Sequence, residues 1–112
     1  MKHDLPLPQE KKLTVLFRIE PGSLGPDGDK HMDDFCAFAQ KELDGLDADY
    51  MHWEIIPRHD KSLPEMEYRI NNRRLPHDKA AKYLEIFGQD LDGFELDLAR
   101  SLSSLIGRFL GH

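Results

Sequence analysis

The stretch Leu13–Lys30, "LTVLFRIEPGSLGPDGDK", runs from an apolar alternation into a loop rich in glycine and proline. Leu13, Val15, Phe17 and Ile19 fall on one side of an extended chain, and Thr14, Leu16, Arg18 and Glu20 on the other. Period two marks a half-buried strand. From Met32 the period changes. Met32, Phe35, Cys36, Ala39, Leu43 and Leu46 stand at helical spacing, with Asp29 as the expected N-cap and Gly45 near the C-terminal end. A strand that turns directly into a helix opens a mixed fold, and the rest of the chain decides which one.

The loop invites a ligand because Gly22, Gly25 and Gly28 would let backbone amides approach a phosphate at the helix start. Its spacing matches neither a P-loop nor G-x-G-x-x-G, and no Gly-Lys-Ser/Thr follows. Asp27 and Asp29 already supply negative charge where an anion would sit. As a calcium loop starting at Asp27, the chain places Phe38 where a bidentate glutamate is required. Turn chemistry of proline and glycine accounts for the composition.

Downstream, "MHWEIIPR" and "EMEYRIN" read as two further strands, with Met51, Trp53 and Ile55 on one face and Met66, Tyr68 and Ile70 on the matching face. The polar "HDKSLP" between them fits a hairpin with a longer loop. After "NNRRLP" a helix is expected over about His77–Phe87, with Ala80, Leu84 and Phe87 inward and Gly88 as its stop. Asp92-Gly-Phe-Glu95 reads as a capping box opening a last helix that runs to about Leu110. The order strand-helix-strand-strand-helix-helix predicts an α+β domain over 13–112, preceded by a flexible arm, 1–12. Its sheet is expected to be three-stranded and antiparallel in the order 2-3-1, with all helices on one face. That topology resembles a ferredoxin-like fold without its last strand, and the likeness implies no activity.

Composition narrows the function classes. The 112 residues carry 39% hydrophobic and 32% charged side chains, enough for one modest core. A net charge of −6 disfavours nucleic acid and anionic lipid as partners. Nine carboxylates against two lysines lie between Glu20 and Asp49, so the acidity is concentrated there. Cys36 is the single cysteine, which excludes an internal disulfide and a multi-thiolate metal site. It reads as a buried packing thiol. The six histidines show no metalloenzyme spacing, so neither metal nor cofactor is expected. No stretch is apolar for the ~20 residues of a membrane span, and Met1–Lys12 lacks the apolar centre of a secretory signal. A cytoplasmic location is the expectation.

Two candidate surfaces emerge. The outer sheet face should carry Arg18, Glu54, Arg58, Glu67 and Arg69, either as a solvated ion-pair lattice or as a platform for a small acidic ligand. Phe17, Trp53 and Tyr68 belong to the opposite, core-directed face, which argues against base stacking. Ser62, His59 and Asp60 do not form a recognisable nucleophile motif. The last helix carries Leu98, Leu102, Leu105 and Phe109 as a heptad-like stripe, more apolar surface than one small sheet needs; it either lies buried across the first two helices or, the reading preferred, serves as a self-association face. The function expected is a small non-catalytic interaction or binding module, a homodimer or the binder of a small protein. The alternative is a small-ligand-binding or enzymatic domain using the charged sheet face and the 57–65 loop.

Overall fold

The strand Leu13–Ile19, β1, lies inside the sheet, with a strand on either side. In the computed structural model, which describes residues 5–111, it is followed by a short 3-10 turn (Pro21–Leu24), helix α1 (Gly28–Leu43) and strand β2 (Met51–Pro57). Then come β3 (Met66–Ile70), β4 (Arg73–Leu75), α2 (His77–Ile86) and α3 (Leu91–Leu110). The sheet is mixed, in the order β2-β1-β3-β4. β1 pairs in parallel with β2 and antiparallel with β3.

The α+β class expected from the sequence stands, and the sheet differs in detail. It has four strands rather than three, it is mixed rather than antiparallel, and β1 rather than the third strand is the neighbour of β2. The physical reason lies in Leu16 and Arg18. Both point to the face away from the helices, yet they are only 3% and 5% exposed. Side chains of the neighbouring strands close over the middle of β1 on that face, so "LTVLFRI" is largely buried, with only Thr14 and Phe17 half-buried. β2 alternates buried and more open positions, as an edge strand does. Residues 58–65 therefore cross the end of β1 instead of closing a hairpin. They are stitched there by Arg58 N–H to the Ile19 carbonyl (2.9 Å) and Arg18 N–H to the Glu65 carbonyl (2.8 Å).

The fourth strand comes from "NNRRLP". Asn71 and Asn72 adopt φ of 52° and 65°, and Ile70 pairs with Arg73 across them. Two consecutive left-handed residues are the signature of a tight two-residue hairpin, which asparagine tolerates better than most side chains.

Both sheet edges are closed to strand addition. At β2, the Gln40 side chain of α1 accepts from Ile55 N–H (2.9 Å) and donates to the Trp53 carbonyl (2.6 Å). Met51 N–H is bonded to the Asp47 carbonyl (2.9 Å), and Pro57 has no N–H to offer. β4 is only three residues long and presents Arg73 and Arg74. Short, charged and capped edges discourage pairing with another chain.

The core lies between the sheet and the helices. Leu13, Val15, Met51 and Trp53 from the sheet meet Phe35, Ala39, Ala80, Leu84 and Phe94 from the helices. Trp53 is nearly fully buried against Phe94 (5.8 Å between ring centroids), and its indole N–H donates to the Leu46 carbonyl (2.8 Å). Tyr83 ties the lower end together: its hydroxyl accepts from Leu13 N–H (3.2 Å) and lies 2.8 Å from the Tyr50 carbonyl. The helix starts differ from expectation. α3 is capped by Asp90, which accepts from Gly93 N–H (2.9 Å), and Asp29 lies inside α1 rather than at its cap. Of the stretch 1–12, residues 1–4 lie outside the described residues; Leu7 packs on the core and donates its N–H to the Asp49 carbonyl (2.8 Å).

Trp53→Ala should cost about 3–5 kcal/mol, the usual range for emptying a large aromatic site. Urea unfolding of the variant measures this, and the wild-type indole should emit in the blue. A red emission open to quenchers would contradict the packing.

Candidate functional site

The glycines of the opening loop serve the loop's own backbone. A Cβ on Gly28 would sit 1.8 Å from the Pro21 carbonyl oxygen, and Gly25 takes φ of 89°. Gly28 is therefore where the 3-10 turn and the helix start touch, a role that needs no ligand. Cys36 is buried in α1, and burial, with Asp33 adding to it, pushes its thiol up to about 11. Ser62 donates its hydroxyl to Asp60 (2.6 Å), which also accepts Ser62 N–H (2.9 Å). These bonds hold Asp60 below the usual carboxylate range and make a local turn of the segment.

On the outer sheet face, Arg18 and Glu67 form a buried pair (2.8 Å). Arg18 also donates to the Pro64 carbonyl (2.7 Å), and Glu67 accepts from Arg69 at 3.0 and 3.2 Å. Burial raises the Glu67 carboxyl, but hydrogen bonds from Arg69 and Arg18 outweigh it, so the group lies below its ordinary 4.5. Arg58 is held by Glu20 and by the Leu63 carbonyl (3.0 Å). Glu54 stands apart beside His52 (3.7 Å), because Leu16 lies between it and Glu67 in the strand register. Four of the five expected platform residues thus form two separate intramolecular clusters, and each arginine already has its acceptors.

The stripe on α3 turns inward. Leu98, Leu102 and Leu105 are buried in the chain's own core, and Phe109 packs edge-on against Phe35 (5.3 Å) and beside Phe38 (5.9 Å). What the stripe reaches on the outside is the floor of three clefts. Leu102 underlies a cleft of about 200 Å³ beside Phe17, Ile19 and Ile106. Leu98 and Leu105 underlie the seam between α3 and the end of α1, where clefts of about 230 and 290 Å³ meet at Leu46 and Ser101.

This seam is a groove that sequence reading missed. Its floor is apolar, with Leu43, Trp53, Phe94, Leu98 and Leu105. Its α3 wall is the row Asp97, Ser101, Ser104 and Arg108, one helix face about 16 Å long. Leu46, expected on the inward stripe of α1, instead follows the helix and stands 46% exposed in the middle of the groove. The segment 42–49 carries four carboxylates and no cation, and two of them, Glu42 and Asp47, line the opposite wall. Small serines opposite an exposed leucine were the available signal, and α3's helical period places them on one face.

A second feature lies at the other corner. Arg73 and Arg74 on β4 and Lys79 and Lys82 on α2 are exposed and have no ion partner among the described residues. Nearby, Glu95 accepts from the Tyr68 hydroxyl (2.7 Å) instead of capping its helix, with His77 at 3.4 Å. Burial first, and then Glu95, hold the Tyr68 phenol far above its ordinary 10.0, so it remains a donor. No helix among the described residues is long and apolar enough to cross a membrane. Comparison with family models finds no match, and comparisons with curated proteins and with solved structures find none either.

Glu67→Gln should destabilise the fold at neutral pH by on the order of 3 kcal/mol, since it leaves Arg18 an uncompensated buried charge. A carboxyl depressed on folding stabilises above its ordinary pKa and loses that contribution as pH falls through the folded value. The gap between wild type and Glu67→Gln should therefore narrow as pH drops below 4.5. Urea midpoints measured at neutral and acid pH check this.

Proposed function

We propose that the chain is a small non-catalytic interaction module, cytoplasmic in setting, which seats a basic amphipathic helix in the groove between α1 and α3. The observation that carries this reading is Leu46: a large apolar side chain exposed over an apolar floor, inside a wall of carboxylates. Exposed leucines are ordinary when scattered, but one set in an apolar seam adds to a contiguous contact surface. Helix-in-groove recognition needs an apolar stripe for the floor and complementary charge for the rim. The rim here favours cations: Glu42, Asp47 and Asp97 outnumber Arg108, which is itself paired with Glu42 (3.4 Å). Steering of a positive partner follows from that imbalance.

The alternative, a small-ligand or enzymatic site on the outer sheet face with the 57–65 loop, draws less support. A carboxylate ligand would have to displace Glu67 from Arg18 and Arg69, or Glu20 from Arg58. Removing one partner from a buried pair costs more than a new exposed contact returns.

A designed peptide with leucine at heptad spacing and lysine on its other faces is a direct probe. Amide shifts at Leu46, Ser101 and Ser104 should move and saturate as it is added, and Leu46→Asp should weaken binding at least tenfold. Shifts confined to Glu54 and Arg69 on the sheet face, or no saturable shift, would overturn the reading.

A further inference from the structure

We infer that the occupant of this groove is a second copy of the chain, presenting the outer face of α2. The inference rests on the groove reading above and names its partner. Lys79, Lys82 and Ile86 stand at i, i+3 and i+7 on α2, which places them on one stripe of the helix. Ala80 and Leu84 point the other way, into the core. Both lysines are exposed without an ion partner among the described residues, and Ile86 is 57% exposed, more than any other large apolar side chain that the structure describes. The stripe thus has the two properties that the groove selects, cations and an apolar knob. Its length of about 10 Å fits within the groove's 16 Å or so.

Charge sets the direction of the contact. Residues 42–49 carry four carboxylates and no cation, whereas 73–82 carry Arg73, Arg74, Lys79 and Lys82 against Asp78. Asp78 and Glu85 lie on one flank of the α2 stripe, so the basic face is a strip rather than the whole helix. Two copies of net charge −6 repel at long range. At about 0.1 M salt that repulsion is damped beyond roughly 10 Å, while contacts between strip and rim act at shorter distances. Strand addition does not compete, because Gln40 and Pro57 blunt β2 and β4 is short. The contact joins unlike surfaces, groove to helix, on two identical chains.

Charge exchange tests this. Sedimentation at about 0.1 M salt should show wild-type mass rising with concentration into the high micromolar range. Lys79→Glu/Lys82→Glu and Glu42→Lys/Asp97→Lys should each associate at least tenfold more weakly while circular dichroism stays native. Mixed in equal amounts, the two variants should associate again, since the native strip of one meets the native rim of the other and the reversed strip meets the reversed rim. A monomeric wild type, or a mixture that stays monomeric, overturns the inference. If the wild type is monomeric and the lysine–leucine peptide still shifts Leu46 and Ser101, only self-occupancy falls. If the peptide also fails, the groove reading falls with it.

Discussion

A charge that is nearly fully buried in a strand must be answered within the protein. Arg18 is that charge. It sits at the end of β1, away from the helices, and its answer is Glu67 on β3 together with the Pro64 carbonyl. The pair constrains the register of β3 on β1 and places the 58–65 crossing. A one-residue slip would turn Glu67 to the helix face and strand both charges. The arrangement therefore specifies the sheet more than it adds net stability, as buried pairs often do no better than apolar replacements.

Once β1 is inside, the arginines of the outer sheet face are engaged within the chain. They neutralise Glu67 and Glu20 and satisfy loop carbonyls. The helix face is filled by α1 and α3, whose leucines and phenylalanines make the core. Two surfaces among the described residues have complementary chemistry: the acidic, leucine-bearing groove along α1 and α3, and the basic stripe of α2. Carboxylates outnumber the single arginine in one, and lysines form the strip of the other, so their charges are complementary.

Much of this was legible in the chain. Each long alternation became a strand, and each helical period became a helix within a few residues. The apolar face of each strand was identified from Leu13, Val15, Trp53 and Tyr68 alone, because period two leaves no alternative once one face is buried. Pairing order was not legible. It depended on Leu16, whose apolar character on the supposedly polar face was the trace of a strand flanked on both sides. β4 hid in the polar "NNRRLP" stretch, whose Asn-Asn turn lacks the glycine that usually marks a tight hairpin. The groove was hidden because Leu46 shares the helical period of α1 while lying beyond its end at Leu43. Periodicity reports a face, and it does not report where the helix stops.

The central claim is that groove and α2 stripe are two halves of one contact. A dilution series of amide spectra on the wild-type chain addresses it most directly. The account predicts that Leu46 and Ser101 shift together with Lys82 and Ile86, all following a single dissociation constant. Shifts limited to the outer sheet face around Glu54 and Arg69, or spectra unchanged from low to high micromolar concentration, would contradict it.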